Sequence, residues 1–389
     1  MKKIFKIILM IFIIFSLSFY GCGWRREDNK KIDDHSVKQI KGINTKNDGK
    51  NYDKSDEIND VKNDDKSEQP NDKDVEIKKE PELDLEKVKP DESGKIMVVM
   101  FHSFVETFTP GKYDKGEFTI TFKAFEELLD NLYNKGYRLI SFKDFLDNSV
   151  SVSSGCIPMV FTFDDATSGQ FNMIEENGEL KANKSSAVGI MLEFNKKHPD
   201  FGMKGTFFVN LGSNIFNGKG NAAERLKYLI DLGFEIGNHT FSHINLKNTK
   251  SKDIIQQELG KNQKVIYELI PGYKMFAFSL PYGAPSDDLM EYVKKGEYEG
   301  IKYENLGIVE VGWNPSLSTI NKQFNWASIN RVRAPGINPE KFDLNWWLEN
   351  ISAKEEYISD GNANKVTIPK EKIDSIDLEK LNDRELITY

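Results

Sequence analysis

From residue 96 to residue 334 the chain alternates short, continuous apolar runs with longer stretches of helical period, and that alternation leaves few architectures open. The first run, Ile96-Met-Val-Val-Met-Phe101, is apolar at every position, as in a strand buried on both faces. Similar runs fall at 137–141, 157–163, 205–210, 234–238, 275–280, 308–312 and 329–334. After the first of them, Phe122, Phe125, Leu128, Leu129, Leu132 and Tyr133 recur at helical spacing, and Gly136 stops the helix. Further helices are predicted over 187–196, 222–232, 252–269 and 286–295. Strand and helix in alternation form a parallel sheet with helices outside it, so the fold class is α/β. Seven or eight strands in a segment of this length suit a closed barrel better than an open sheet. In a barrel the chemistry gathers at the carboxyl ends of the strands.

What precedes residue 96 reads differently. Lys2, Lys3 and Lys6 lead into an apolar run over 7–19, the layout of a secretory signal. The run is shorter than the ~20 apolar residues of a membrane span. It ends at Gly21-Cys22, which resembles a bacterial lipobox, and the resemblance implies that Cys22 carries lipid and becomes the N-terminus. Phe19 and Tyr20 depart from the usual pattern, which leaves a retained anchor or a secreted product as alternatives. The expected location is the outer face of the cell membrane. Residues 23–93 are Lys, Asp, Asn and Glu with isolated Ile and Val, without helical or strand period, and are expected to be a disordered polar linker. Such a chain would span roughly 45 Å. With Cys22 lipidated, Cys156 has no disulfide partner and is expected to be a small buried hydrophobe. The formal net charge of -8, with no basic stripe, argues against nucleic acid as a partner.

The predicted strand ends hold a short list of reactive side chains. His102 follows the first strand, Asp164 and Asp165 follow 157–163, and His239 and His243 follow 234–238, with Pro281-Tyr282-Gly283 after 275–280. One Asp and two His make a three-ligand set for Zn2+ or a similar divalent ion, with coordination sites left for water and substrate. His239 and His243 are four apart, so one helical turn is expected to put both imidazoles on the same side. Adjacent carboxylates on a strand point to opposite faces, so the chain is expected to turn at Asp164-Asp165, one binding metal while its neighbour accepts a proton.

Thr162-Phe163-Asp164-Asp165, His239-Thr240-Phe241-Ser242-His243 and Pro281-Tyr282-Gly283 resemble the first three motifs of the polysaccharide deacetylases, carbohydrate esterase family 4. The likeness runs over about residues 96 to 335. It implies a distorted (β/α)7 barrel, with Asp164 as catalytic base and Asp165, His239 and His243 as ligands of a divalent metal, Zn2+ first. Pro281 and Tyr282 are implied at the oxyanion and substrate site, through the Tyr282 backbone N–H. The Arg that many members carry two residues before the third-motif Pro is Ser279 here, so Arg331 or Arg333 is expected to orient the base instead. His102, in Met100-Phe-His-Ser-Phe104, resembles the N-terminal histidine of the poly-N-acetylglucosamine deacetylases, which implies the general acid. The insert over 167–203 is expected to shape the substrate groove.

The organisation expected is therefore a lipoprotein signal over 1–22, the linker over 23–93, a catalytic domain over 94–350 and a C-terminal extension over 351–389. In the extension, 363–369 is predicted as a strand and 370–389 as an exposed helix. Trp346 and Trp347, at helical spacing with Leu344 and Leu348, are read as core rather than as a sugar platform. The activity expected is hydrolysis of N-acetyl groups on a matrix or wall glycan such as poly-N-acetylglucosamine, releasing acetate. Peptidoglycan deacetylation, xylan O-deacetylation and an inactive glycan-binding lipoprotein are the alternatives.

Overall fold

A computed structural model describes residues 83–111 and 114–389. The signal-like segment, Cys22 and the linker up to residue 82 lie outside the described residues. Among the described residues no helix is long and apolar enough to cross a membrane.

Eight strands make one parallel sheet: β1 Met97–Phe101, β2 Tyr137–Leu139, β3 Ile157–Asp164, β4 Thr206–Val209, β5 Glu235–Asn238, β6 Ala277–Ser279, β7 Gly307–Val309 and β8 Val332–Arg333. Seven follow the order β7-β6-β5-β4-β3-β1-β8, and β2 pairs with the first residues of β3. The two edges meet. Ile329 bridges in parallel to Val309, and its N–H donates to the Ile308 carbonyl at 2.8 Å. A few residues on, Val332 and Arg333 pair with Val99 and Met100 of β1. One short stretch of chain thus pairs with both ends of the sheet and closes a distorted seven-stranded barrel.

The unbroken apolar runs follow from this closure, because alternate side chains face two different apolar environments. Val98, Val160, Phe208, Ala277, Val309 and Ile329 share one buried cluster. Val99, Phe101, Phe161, Phe163, Phe207 and Val209 share another with the helices outside. Burial of each large side chain contributes about 1.5–3 kcal/mol, so both faces must be apolar. The outer helices fall where their periodicity predicts: α1 Phe122–Asn134, α2 Ala187–Lys197, α3 Ala222–Asp231 and α4 Lys252–Leu269. Helix α1 starts where the Thr121 side chain accepts from Ala124 N–H, and buries Phe125, Leu128, Leu129 and Leu132. The stretch over 286–295 splits into a 3-10 turn, Asp287–Leu289, and a short helix, Met290–Lys294.

Both ends of the expected domain need correction. The linker was expected to reach residue 93, yet Leu85–Val88 is a helical turn capped by Asp84, and Asp91, Glu92 and Ser93 are buried. Their partners are distant in sequence, which a local periodicity cannot reveal: Asp91 pairs with Ile358, and Glu92 exchanges hydrogen bonds with Thr367. The predicted strand in the tail forms as Lys365–Ile368, but the helix expected over 370–389 does not. Instead 3-10 turns at Lys370–Ser375 and Leu378–Leu381 lead to a strand, Glu385–Thr388, parallel to Lys365–Ile368. Ile320, Val366, Ile368, Ile376 and Leu381 form a small core there, at spacings no helix face would gather.

Glu92 gives this junction a pH response. Its carboxylate accepts from the N–H groups of Thr367 and Asp360, at 3.0 and 3.3 Å. Burial, then the Asp360 charge, push its pKa from 4.5 up to about 8 against those hydrogen bonds. A folded-state pKa above the unfolded one favours the neutral form, so the stabilisation is full below about 4.5 and is lost as pH rises toward 8. Glu92→Gln, always neutral, is expected to remove a loss of stability between pH 5 and 8 of roughly 3–4 kcal/mol, read as a flatter melting temperature over that range. Parallel wild-type and variant melting curves over that range would expose the error.

Candidate active site

Asp164 is the last residue of β3 and is 1% exposed. Arg331, fully buried, reaches across the barrel and donates from both terminal nitrogens to its two carboxylate oxygens, at 2.8 Å each. The Ser279 hydroxyl donates to Asp164 Oδ2 at 3.0 Å and accepts from Arg331 at 2.9 Å. Arg331 also donates from Nε to the Glu310 carbonyl, and to Thr162 Oγ1 at 3.2 Å. Burial would raise the Asp164 pKa, but the Arg331 charge, the His239 ring and the Arg331 hydrogen bonds outweigh it and hold it at about 2. The carboxylate is thus ionised and held in one orientation.

The chain then turns. Asp165 and Ala166 have φ of 77° and 50°, a left-handed pair that swings the second carboxylate off the strand line. Such positions cost ~1–3 kcal/mol each for residues with a Cβ. Thr240, His243 and Tyr282 are left-handed too, so the strained residues converge on this end of the barrel. The helical turn expected between His239 and His243 is absent: β5 ends at Asn238, and the left-handed Thr240 and His243 fold the loop back on itself. A buried amide network holds that loop. Asn262 of α4 donates to Asn238 Oδ1 and to the Val209 carbonyl, while Asn238 Oδ1 also accepts from Thr240 N–H. Side chains at long separation do what local helix geometry was expected to do.

This backbone brings Asp165, His239 and His243 together. Asp165 Oδ1 stands 3.5 Å from His239 Nε2 and 3.2 Å from His243 Nε2, and the three ligand atoms lie within 4.8 Å of one another. Ligand atoms on a tetrahedral ion at ~2.0–2.1 Å are about 3.3 Å apart, so these spacings fit a divalent metal. The tautomer fits as well. His239 Nδ1 is 2.8 Å from the Ser279 carbonyl and donates to it, which leaves the Nε2 lone pair facing the cluster. Burial would raise the Asp165 pKa, but the two imidazoles beside it hold it well below the usual carboxylate range.

His102, just beyond β1, lies with Nε2 3.8 Å from Asp164 Oδ2. Its Nδ1 is buried without a hydrogen-bond partner, so a proton there would be poorly placed. Burial lowers its pKa, against the charges of Asp164 and Asp165, which raise it. Tyr282 is 39% exposed and its ring packs edge-on to His243 at 5.0 Å, while Pro281 is buried beside it. Arg333 does not join the group: its guanidinium pairs with Glu340 and lies over Phe118 and Trp313, so of the two arginines it is Arg331 that orients Asp164. Alternation puts both arginines on one face of the strand, and the split comes from Arg333 lying about 7 Å further along it, beside Glu340.

Two contributors escaped the sequence reading. Ser279 occupies the place where an Arg was expected and links Asp164 to Arg331. Gln170 donates from Nε2 to the carbonyls of His102 and Asp164, fastening the ends of β1 and β3 together. The fall of Ser279 at the end of an apolar run was a usable signal, whereas Gln170 lies in the insert and had none. Cys156 is half-buried against the apolar cluster around Phe142 and Val160. Trp347 packs on the outer core and donates from Nε1 to the Trp313 carbonyl, and Trp346 lies edge-on to it.

Residues 153–301 match the family model described as polysaccharide deacetylase. No curated protein matches the chain. Among solved structures, the chain is similar to the Streptococcus pyogenes deacetylase PplD in complex with acetate, 16% identical over 66% of this chain and 98% of that one, TM-score 0.49. It is also similar to IcaB from Ammonifex degensii, 16% identical over 62% and 92%, TM-score 0.41. A de-N-acetylase from Aggregatibacter actinomycetemcomitans is 14% identical over 61% and 94%, TM-score 0.42. The segment that the family model matches contains Asp164, Asp165, His239, His243 and Tyr282, so the part of the chain that carries the site is similar to the polysaccharide deacetylases.

Proposed function

We propose that this chain is a deacetylase that removes N-acetyl groups from a hexosamine polymer of the poly-N-acetylglucosamine kind, releasing acetate and leaving free amines. The observation that carries the reading is one cluster of three metal-type ligands beside an ionised carboxylate clamped by a buried arginine. Asp165, His239 and His243 would hold the metal, Zn2+ in the first place. A divalent ion bound there would polarise the acetyl carbonyl and lower the pKa of water.

The remaining chemistry belongs to the chain. Asp164, held by Arg331 and Ser279, accepts the water proton at a fixed place, and its low pKa means that only an activated water delivers one. The developing oxyanion is met by the Tyr282 N–H. An amine leaves poorly as an anion, so a donor is needed at the nitrogen. His102 Nε2, 3.8 Å from Asp164 Oδ2, is near enough to receive that proton after a small side-chain shift and to pass it to the leaving nitrogen. The products are a carboxylic acid and an amine, so one water is consumed per acetyl group.

Metal content tests the ligand set. Purified protein is expected to carry about one divalent ion per chain, and Asp165→Asn or His239→Ala only a small fraction of one, because each removes a third of the protein's ligands. Full occupancy in both variants would refute the assignment. Acetate release from N-acetylhexosamine oligomers, peptidoglycan and acetylated xylan tests the substrate, and release from xylan alone would overturn it. We also propose a lipid anchor at Cys22 on the outer face of the membrane, on the sequence alone; failure to incorporate labelled fatty acid would remove it.

A further inference from the structure

An open groove of about 440 Å3 runs from the end of β1 beside the insert, lined among others by Phe122, Thr107, Ser168, Asn172, Ser185 and Glu106. It adjoins the candidate active site on both sides in sequence. Glu106 is four residues beyond His102, and Ser168 is three beyond Asp165. The strand Ser103–Val105 carries the chain between His102 and Glu106, which at ~3.3 Å per residue keeps Glu106 within about 13 Å of His102. A short oligosaccharide covers that distance.

The lining is chemically uneven. The hydroxyls of Thr107, Ser168 and Ser185 and the amide of Asn172 can exchange hydrogen bonds with sugar hydroxyls without selecting a charge. Glu106 is the charged residue of the lining, is exposed, and forms no ion pair with a cation among the described residues. A carboxylate there disfavours an anionic glycan and favours a cationic one. The cation at hand is the reaction's own product, because a freed sugar amine is protonated below its pKa, near the ~7.7–8 of an α-amino group.

We infer that Glu106 makes this groove a subsite for a hexosamine unit that has already lost its acetyl group, so that partly deacetylated polymer binds better than fully acetylated polymer. The inference rests on the substrate reading proposed above. Its consequence is patterned deacetylation: one cleaved unit held at Glu106 sets which neighbouring unit reaches Asp164.

Calorimetry with a fully de-N-acetylated hexosamine oligomer, which has no acetyl group to hydrolyse, tests the subsite on the metal-loaded enzyme. Glu106→Gln is expected to bind it about threefold to tenfold more weakly than wild type, and wild-type binding is expected to weaken with added salt. The initial rate of acetate release from the fully acetylated oligomer is expected to fall by less than the affinity for the free-amine oligomer, since before the first turnover it presents no ammonium. Equal affinity of wild type and Glu106→Gln for the free-amine oligomer would overturn the inference. A wild-type enzyme that released no acetate from hexosamine oligomers would instead overturn the substrate reading, and the binding comparison would still decide what Glu106 recognises.

Discussion

Asp164→Asn is expected to cut acetate release by ~100- to 10,000-fold and also to lower stability by ~3–5 kcal/mol. The first effect follows from losing the proton acceptor. The second follows from Arg331, whose guanidinium has no exposure and whose only carboxylate partner among the described residues is Asp164. With an amide opposite, a buried charge is left uncompensated. Arg331→Met is expected to cost a similar amount, since it strands the Asp164 carboxylate, 1% exposed. The double variant, neutral on both sides, should lose clearly less than the sum of the two, because replacing a buried ion pair as a whole is far milder than breaking it. Turnover should not return with it. In melting temperature the single variants are expected roughly 5–10 °C below wild type. Additive losses in the double variant would mean that the two residues do not depend on each other. Activity regained in the double variant would mean that Asp164 is not the acceptor.

The barrel was legible in the sequence because both faces of its strands are buried, which turns each strand into a short apolar run with little to confuse it. Val98 and Val99 illustrate this: neighbours in sequence, they enter different cores. The candidate site residues were legible for a related reason, since His102, Asp164, Asp165 and His239 each follow or end such a run on the same side of the barrel. Their partnerships were less accessible. Arg331 and Arg333 differ by one turn of the strand pleat in an equally apolar setting, and only the three-dimensional position of Glu340 draws one of them away. The histidine pair shows the same limit. A spacing of four suggested a helical turn, while the fold reaches the same end with two left-handed residues held by Asn238 and Asn262, 24 positions apart.

Misjudged boundaries have a common cause as well. Residues 83–93 and 370–389 have no helical or strand period, so neither carries a signal of its own. The first orders by pairing with 358–367 near the other end of the domain, and the second beside Lys365–Ile368 and Ile320. Glu92 bonded to Thr367 and Asp91 bridged to Ile358 are contacts over more than 260 positions. Loop closure over such distances is repaid only by a core that already exists. The hairpin Met173–Glu176 with Glu179–Ala182 inside the insert escaped for a different reason: three of its first four residues are exposed, and Glu175, Glu176 and Glu179 give it the composition of a loop.

His102→Ala separates a proton donor from a structural ring. Proton donation to a poor leaving group contributes ~100- to 10,000-fold, and the amine released from an N-acetyl group is such a group. If His102 supplies that proton, the variant is expected to keep its metal and to lose turnover on N-acetyl substrates by a factor in that range. On an activated acetyl ester, whose leaving group departs without protonation, the loss is expected to be less than about tenfold. The surroundings of the ring bear on the alternative. His102 packs against Phe118 at 5.0 Å, and its carbonyl, not its imidazole, holds Gln170. The joint between β1 and β3 therefore runs through the backbone, which alanine preserves. With Nδ1 unpartnered, removal of the ring leaves no buried donor or acceptor behind it, so the cost in stability is expected to be that of one half-buried aromatic contact, about 1 kcal/mol. A drop in melting temperature with equal losses on amide and activated ester would mark a packing residue. A steep loss on the amide alone, at nearly unchanged stability, is the result expected of the acid.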